Sequence, residues 1–447
     1  MSKQEFKVPD WAITDEEIDD AIPGSGWVRD YLEYARTSTD APLAYHAGTA
    51  LTVLSQACSH LDIRCYSQEG ERGHHEVTTP LWTSVIGFSG DRKSYSMNIG
   101  MRILKRAVGH DVILPDDGSV EALVDYISEN PNVILHRDEL SFLFAQSGRS
   151  HMRTFKPLLL TLHSGETFSR TTRQDRARKS DSEEEGESKP KRQRKNEMTE
   201  VERPRITMLG GIPPEVFRSQ GDSLDWSSGF LARFFFLPAV RTRMREAPIK
   251  RETHEMELAK WLKAVPSKFQ GYIKLPVDTS KIISSWFLEE VEALRGKLDD
   301  KVYSHLTRYQ DLAVRITAMF AMSYVKPKEA REVVVATPKH AKAACALLSC
   351  VKDAILYLIA ELVKPSARQF EDEMLEFFED HQSKWFTLDE LDLHFPQYSR
   401  RTIAAICKEW REEGRLLKDF VRTKRKVQGA RRLKYKFSCI QPTKKVS

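Results

Sequence analysis

Val85-Ile86-Gly87-Phe88-Ser89-Gly90-Asp91-Arg92-Lys93-Ser94 is an apolar run that enters a glycine-spaced turn and closes on lysine and serine. Glycines at 87 and 90 allow backbone angles that a side chain forbids, so successive N–H groups can converge on the oxygens of a phosphate. Lys93 then supplies a cation for β- and γ-phosphates and Ser94 a hydroxyl for Mg²⁺, while the helix expected from Tyr95 onward presents its positive end. The strict pattern G-x-x-x-x-G-K-[ST] has glycine directly before the lysine; this chain has Arg92 there, one permissive position fewer. Taken alone, the stretch also suits an ordinary strand-turn-helix corner rich in small residues.

Downstream, Asn132-Val133-Ile134-Leu135-His136-Arg137-Asp138-Glu139-Leu140 is a short apolar run that ends on adjacent carboxylates. Beside a phosphate loop, the first acid, Asp138, orients the Mg²⁺ shell and the second, Glu139, polarises the attacking water; both must then stand at the tip of a strand next to the loop. His136 and Arg137 are more polar than such a strand commonly is, and acids gathered at a helix N-terminus are the alternative. The two stretches in this order, with a helical segment between them, point to a nucleoside triphosphatase.

A chain of 447 residues is too long for one compact unit, and about three domains are expected. Hydrophobic residues at 40% suffice for real cores; with 30% charged residues and a net charge of +5, the distribution of charge says more than its balance. The cysteines Cys58, Cys65, Cys345, Cys350, Cys407 and Cys439 show neither C-x-x-C spacing nor the density of a disulfide scaffold, which fits a reduced cytosolic setting. The acidic N-terminal stretch has no apolar signal core, no apolar run approaches membrane-spanning length, and the closing Lys-Lys-Val-Ser is no lipidation signal. A soluble, intracellular protein without a membrane partner is the expectation.

Composition divides the chain. Residues 1–65 read as a helical N-terminal region, with helical apolar spacing through Val28, Tyr31, Leu32 and Tyr34 and again through Ala50, Leu51, Val53, Leu54 and Ala57. Residues 66–250 read as an α/β core: apolar strands at Leu81–Ile86, Val133–Leu135, Ile206–Leu209 and Phe234–Leu237 alternate with helical segments such as Met97–Val108 and Val120–Ser128, which implies a mostly parallel sheet. Within it, about 172–203, an acidic block and then a basic block (Lys189 to Lys195) have almost nothing to bury and are expected to form a disordered insertion. A solvated linker is its simplest role; a nucleic-acid contact or a nuclear address are alternatives. Residues 251–365 are expected to be a helical lid.

Residues 366–440 form a different pattern. Phe370 to Phe378 is a helix with Phe370, Met374, Leu375 and Phe378 apolar; Thr387 caps Leu388–His394; Ser399 starts Arg400–Glu413, with Ile403, Ile406, Cys407 and Trp410 inward and Gly414 as the stop. Leu416-Leu417-Lys418, a Gln428-Gly429 turn and the strand Leu433–Phe437 read as a hairpin, so the segment is expected to be a winged helix, followed by a basic tail at 441–447. From Gly414 onward many lysines and arginines face the single acid Asp419, the electrostatic footprint of binding to a phosphate backbone. The candidate DNA-binding residues are Arg400, Arg401, Lys408, Arg422, Lys424, Arg425, Lys426, Arg431 and Arg432, with Arg400 and Arg401 placed to enter a groove. Protein contact through the same wing is the alternative, and no sequence-specific readout follows.

From about Pro23 to Val240 the chain resembles the AAA+ type ATPases of phages, plasmids and other mobile elements, P-loop NTPases often attached to primases. The likeness is carried by the helical N-terminal portion, the loop GFSGDRKS, Gly118-Ser119-Val120-Glu121-Ala122-Leu123, Ile206-Thr207-Met208-Leu209-Gly210-Gly211 with Ile212-Pro213-Pro214, and Ser228-Gly229-Phe230-Leu231-Ala232-Arg233-Phe234. The last piece is similar to the arginine-finger segment of minichromosome maintenance helicases, which implies that Arg233 enters a neighbouring subunit's site and stabilises charge on the transferring phosphate. On residue chemistry alone, Arg233 equally suits a flank position capping an apolar strand. The same helicases carry two lid arginines spaced like Arg308 and Arg315, so Arg308 resembles a second sensor at the γ-phosphate; Thr207 stands where a first sensor is expected. The alternative for Arg308 and Arg315 is salt bridging on the surface of one amphipathic helix, whose apolar face includes Leu312, Ile316, Met319 and Phe320.

The resemblance implies ATP and Mg²⁺, a self-assembled ring, a hexamer because the finger acts in trans, and translocation on or unwinding of single- or double-stranded DNA during replication of a mobile element. The setting is a bacterial cytoplasm, and nuclear only if the basic insertion is a targeting signal. No primase signature is visible, so priming would come from a separate partner. Two other classes stay open: an ATP-gated initiator or loader that binds DNA without unwinding it, and a DNA-binding regulator whose α/β core is a relic.

Overall fold

The computed structural model describes residues 8–67, 73–115, 120–140, 155–173, 196–219, 229–243, 251–298, 300–326, 330–362, 374–375, 377–378, 381, 386–395, 403–404, 406–408, 410, 416–421 and 434–439. The chain splits into two compact units, Met1–Ile359 and Ala360–Ser447.

The first unit begins with α1 (Asp15–Ala21), started by a reciprocal capping box between Thr14 and Glu17, then α2 (Trp27–Ser38) and α3 (Leu43–Ala57). Every residue of α3 is buried. Its sequence, LAYHAGTALTVLSQA, is small or apolar on all sides, as an interior helix requires. Small residues also bring it close to the sheet behind it: a Cβ on Gly48 would lie 2.2 Å from Leu237 Cδ1.

The chain continues through β1 (Asp62–Tyr66), β2 (His74–Thr78), β3 (Trp82–Ile86), α4 (Lys93–Val108), α5 (Val120–Glu129), β4 (Asn132–Arg137), α6 (Phe155–His163), β5 (Phe168–Arg173), β6 (Asn196–Val201), β7 (Arg205–Ile212), α7 (Pro214–Ser219) and β8 (Phe234–Pro238). It closes with α8 (Glu252–Lys268), β9 (Phe269–Leu275), α9 (Val277–Glu290), α10 (Asp300–Leu306), α11 (Tyr309–Ser323), β10 (Arg331–Val335) and α12 (Pro338–Leu362). The four apolar runs expected as strands form one parallel sheet in the order β4-β7-β3-β8. β3, β7 and β8 are buried along their whole length, which explains why they read as unbroken apolar runs rather than alternating ones.

Four expectations need correction. The stretch 251–365 is not all helix: β9 and β10 join a second sheet in the order β10-β9-β1-β2, with β9 parallel to both β1 and β10. That sheet also takes Asp62–Tyr66 out of a purely helical N-terminal region. Arg308 and Arg315 do not share a helix, because α10 ends at Leu306 and Arg308 is the cap of α11. Of the charged insertion, residues 174–195 lie outside the described residues, while its flanks pair as the antiparallel hairpin β5–β6.

In the second unit, Met374, Phe377, Phe378, Leu391, Phe395, Ile403, Ile406, Cys407 and Trp410 form one apolar cluster. Thr387 caps α13 (Leu388–His394) through a capping box with Glu390. β11 (Phe386–Thr387), β12 (Leu416–Val421) and β13 (Lys434–Cys439) make an antiparallel sheet in the order β11-β13-β12. Among the described residues, no helix is long and apolar enough to cross a membrane.

Candidate functional site

Because β4, β7, β3 and β8 run in one direction, their carboxyl ends share an edge, and ligand crevices form where the connections leaving that edge diverge. There β3 hands over to residues Gly87–Arg92 and then α4, and β4 hands over to Asp138–Leu140. β7 lies between them, so the two turns stand about two strand spacings, roughly 10 Å, apart. Backbone bonds tie both to the end of β7: Gly87 N–H donates to Ile212 O (3.3 Å) and Leu140 N–H donates to Gly211 O (2.8 Å). A Cβ on Gly211 would lie 2.9 Å from Asp138 O and 3.6 Å from Lys93 Cβ. Glycine at 211 therefore lets the acid-bearing turn and the lysine close on each other.

The loop glycines serve different ends. Gly90 has a φ of 94° and open space where a Cβ would stand. Gly87 has no left-handed angle; it is needed for room, since Tyr45 Oη lies 3.0 Å from Ile86 O and 2.5 Å from Ala239 O, and a Cβ at 87 would fall 1.7 Å from that hydroxyl. The left-handed angle of a second glycine is instead taken by Arg92, at φ 64° and ψ 25°, which caps α4. The first turn of α4 holds no acid, so its free N–H groups face the loop without a competing carboxylate on the helix itself.

Lys93 folds back on this loop, its Nζ donating to Gly87 O (2.6 Å) and Phe88 O (2.8 Å). Burial lowers its pKa, and the carboxylates of Asp91, Glu139 and Glu215 oppose that shift. Glu139 is thus within electrostatic reach of the lysine. Asp91 also braces the turn by accepting from Phe88 N–H (2.9 Å). Ser94 follows on the first turn of α4, and Asp138 and Glu139 are both exposed at the edge of the crevice. Asp91 and Glu215 are further acids near the lysine to which the sequence pattern assigns no role; the local signal for Glu215 is an acid directly after Pro213-Pro214, at the start of α7.

The other candidates lie at the opposite edge. Arg233 ends a 3-10 turn just before β8, whose first residue pairs with Trp82 and whose last pairs with Ile86; it stands roughly 15 Å from its own loop at strand rise. Its guanidinium donates to Gly229 O (2.7 Å), and its pKa is lowered by burial and then by Arg308. His163, half-buried at the end of α6, has Nε2 3.2 Å from Arg315 Nη1; desolvation, Arg315, Arg233 and Arg308 hold its pKa well below the ordinary value. Arg315 is itself buried and drawn down to about 10, not a surface salt-bridge partner. Three arginines and a neutral imidazole thus concentrate positive charge at the amino edge of the sheet. Thr207 is buried there as well, one residue before the Met208 that pairs with Trp82, roughly 15 Å along β7 from Ile212. The structure does not bring it to the loop.

In the second unit, Lys408 is exposed, and Arg400, Arg401, Arg422, Lys424, Arg425, Lys426, Arg431 and Arg432 lie outside the described residues.

No family model matches the chain, and no curated protein matches it either. Among solved structures, one described as "SCCmec type IV Cch - active helicase" is similar at a TM-score of 0.31 and 12% identity, covering 94% of this chain and 72% of that one.

Proposed function

We propose that the first unit is an AAA+ type P-loop ATPase and that the chain works as an ATP-dependent DNA helicase or translocase in replication of a phage or other mobile element. The observation that carries this reading is the meeting of the Gly87–Ser94 turn and the Asp138–Glu139 pair on consecutive residues, Gly211 and Ile212, at one edge of a parallel sheet. A loop with a left-handed glycine, a lysine bonded to carbonyl oxygens and an acid-free helix start suits a triphosphate.

In this reading Lys93 exchanges Gly87 O and Phe88 O for β- and γ-phosphate oxygens, and the loop N–H groups cradle the β-phosphate. Ser94 and Asp138 would hold Mg²⁺, which would neutralise phosphate charge there. Glu139 orients the water that attacks the γ-phosphorus and takes its proton as the bond to the β–γ bridging oxygen breaks, giving ADP and phosphate. Arg233 stands too far from its own loop to assist, and Arg308 lies within electrostatic reach of Arg233. They fit the role of trans groups for a neighbour in a ring, a hexamer by the family likeness. The second unit, with its capped helix, apolar cluster and antiparallel hairpin, is read as a winged helix whose basic segment holds the DNA backbone.

The test is the ATPase rate with and without single- and double-stranded DNA, together with strand displacement from a forked duplex, each against Lys93→Ala. DNA-stimulated turnover with displacement is expected. Turnover without displacement would favour the ATP-gated initiator or loader, and no ATP binding by calorimetry with Mg²⁺ present would leave a DNA-binding regulator.

A further inference from the structure

Arg92 is the position at which the phosphate loop departs from its pattern, and the structure gives that departure a partner. The residue sits at φ 64°, in the left-handed region that glycine enters freely and a side chain enters at a cost. Its guanidinium reaches the segment between α2 and α3, where Arg92 Nε stands 2.9 Å from Asp40 Oδ1 as an ion pair. Asp40 is 2% exposed, an unusual site for a carboxylate unless cations meet it. A second one does: Arg241 Nη1, on the segment after β8, donates to Asp40 Oδ2 at 3.4 Å.

We propose that Asp40 is a positioning residue for the phosphate loop: by clamping the Arg92 guanidinium from the helical N-terminal region, it holds position 92 in the left-handed conformation that a glycine would otherwise supply, and keeps that cation out of the phosphate cradle. The proposal rests on the ATPase reading of the loop and adds to it a residue that touches neither phosphate nor metal. Arg241 shares the charge of Asp40, so the clamp gathers three pieces of chain that are far apart in sequence: the α2–α3 connection, the loop and the segment leaving β8. With Asp40 neutralised, Arg92 loses the ion pair that offsets its backbone angle, and the loop N–H groups lose their shared direction. With glycine at 92, the angle needs no help and Asp40 becomes dispensable for the loop.

The discriminating experiment is a two-by-two comparison in the full-length chain. Affinity for ATP with Mg²⁺ is measured by calorimetry for Asp40→Asn in the natural background and in an Arg92→Gly background, with melting temperature recorded for each. Asp40→Asn is expected to weaken binding ten-fold or more when Arg92 is present and less than two-fold in the Arg92→Gly background. Equal losses in both backgrounds would mean that Asp40 supports the fold or Arg241 rather than the loop, and unchanged or tighter binding in the natural background would equally overturn the proposal. Should Asp40→Asn not fold, Asp40→Glu, which keeps the charge but displaces the carboxylate by one methylene, is put through the same comparison with the same criterion. The natural chain separates the two claims: no ATP binding there refutes the ATPase reading, whereas natural binding that ignores Asp40 refutes only the clamp.

Discussion

Gly87 shows how a motif letter can be right for a reason the motif does not state. The pattern attributes it to backbone freedom, but its φ is ordinary and the constraint is the Tyr45 hydroxyl packed against Ile86 O and Ala239 O. Gly87→Ala should therefore destabilise the first unit by about 2 kcal/mol, an overpacking cost, and adding Tyr45→Phe should recover part of it. Denaturant midpoints of the two variants check this, and a Gly87→Ala chain as stable as the natural one would remove the steric explanation. Arg92 teaches the converse: a letter that breaks the pattern is accommodated by a buried acid 52 positions earlier, at Asp40, which no local window contains.

Strand β7 is the element on which the candidate site depends. Its last residues carry Gly210 and Gly211, where a Cβ would meet Leu140 Cγ at 2.4 Å and Asp138 O at 2.9 Å, so the acid-bearing turn crosses the strand end through the space of two missing side chains. Gly211→Ala should push Asp138 and Glu139 away from Lys93 and lower the ATPase kcat ten-fold or more while ATP affinity changes less than three-fold; a parallel fall in affinity would show that the loop moved instead. Buried helices carry a different liability. His46 on α3 and His305 on α10 have pKa values brought down to about 3, by burial first and, for His46, by Arg243 as well. Unfolding returns each ring to about 6.5, so below that pH the unfolded chain binds protons the folded chain refuses. Stability is then fully present above about pH 6.5 and falls as pH drops toward 3, by at most about 1.4 kcal/mol per pH unit for each histidine. Melting temperature should decline from pH 7 to pH 5, and His46→Gln should flatten that decline.

For the molecule as a whole, the two ends of the parallel sheet divide the chemistry: lysine and acids at the carboxyl edge, Arg233, Arg308 and Arg315 at the amino edge. In the ATPase reading, Arg233 does not reach a triphosphate held by the Lys93 of its own chain. Arg233→Ala should cut turnover about 10³-fold with ATP affinity retained, in keeping with the loss of a trans arginine. Mixing it with Lys93→Ala should restore measurable ATPase, because some interfaces then pair an intact loop with an intact finger. Two inactive variants that stay inactive when mixed would mean that the amino-edge arginines serve the fold alone.

Much of this was legible before any coordinates. The loop, the acid pair, the four apolar strands, the Thr387 cap and the inward residues of the second unit are local patterns, set by glycine spacing, apolar runs and helical periodicity within a dozen residues. Other features needed the folded chain. The pairing of β9 with β1 joins residues more than 200 positions apart, and its half-buried alternation does not name a partner. The displacement of Thr207 from the loop follows from strand direction and register, and the break between α10 and α11, which leaves Arg308 as a cap, is marked by no glycine or proline in Leu306-Thr307-Arg308. Chain-local preferences choose elements. Long-range burial chooses which elements lie side by side, and on that choice the approach of the Asp138–Leu140 turn to Lys93, and the pairing of Arg92 with Asp40, depend.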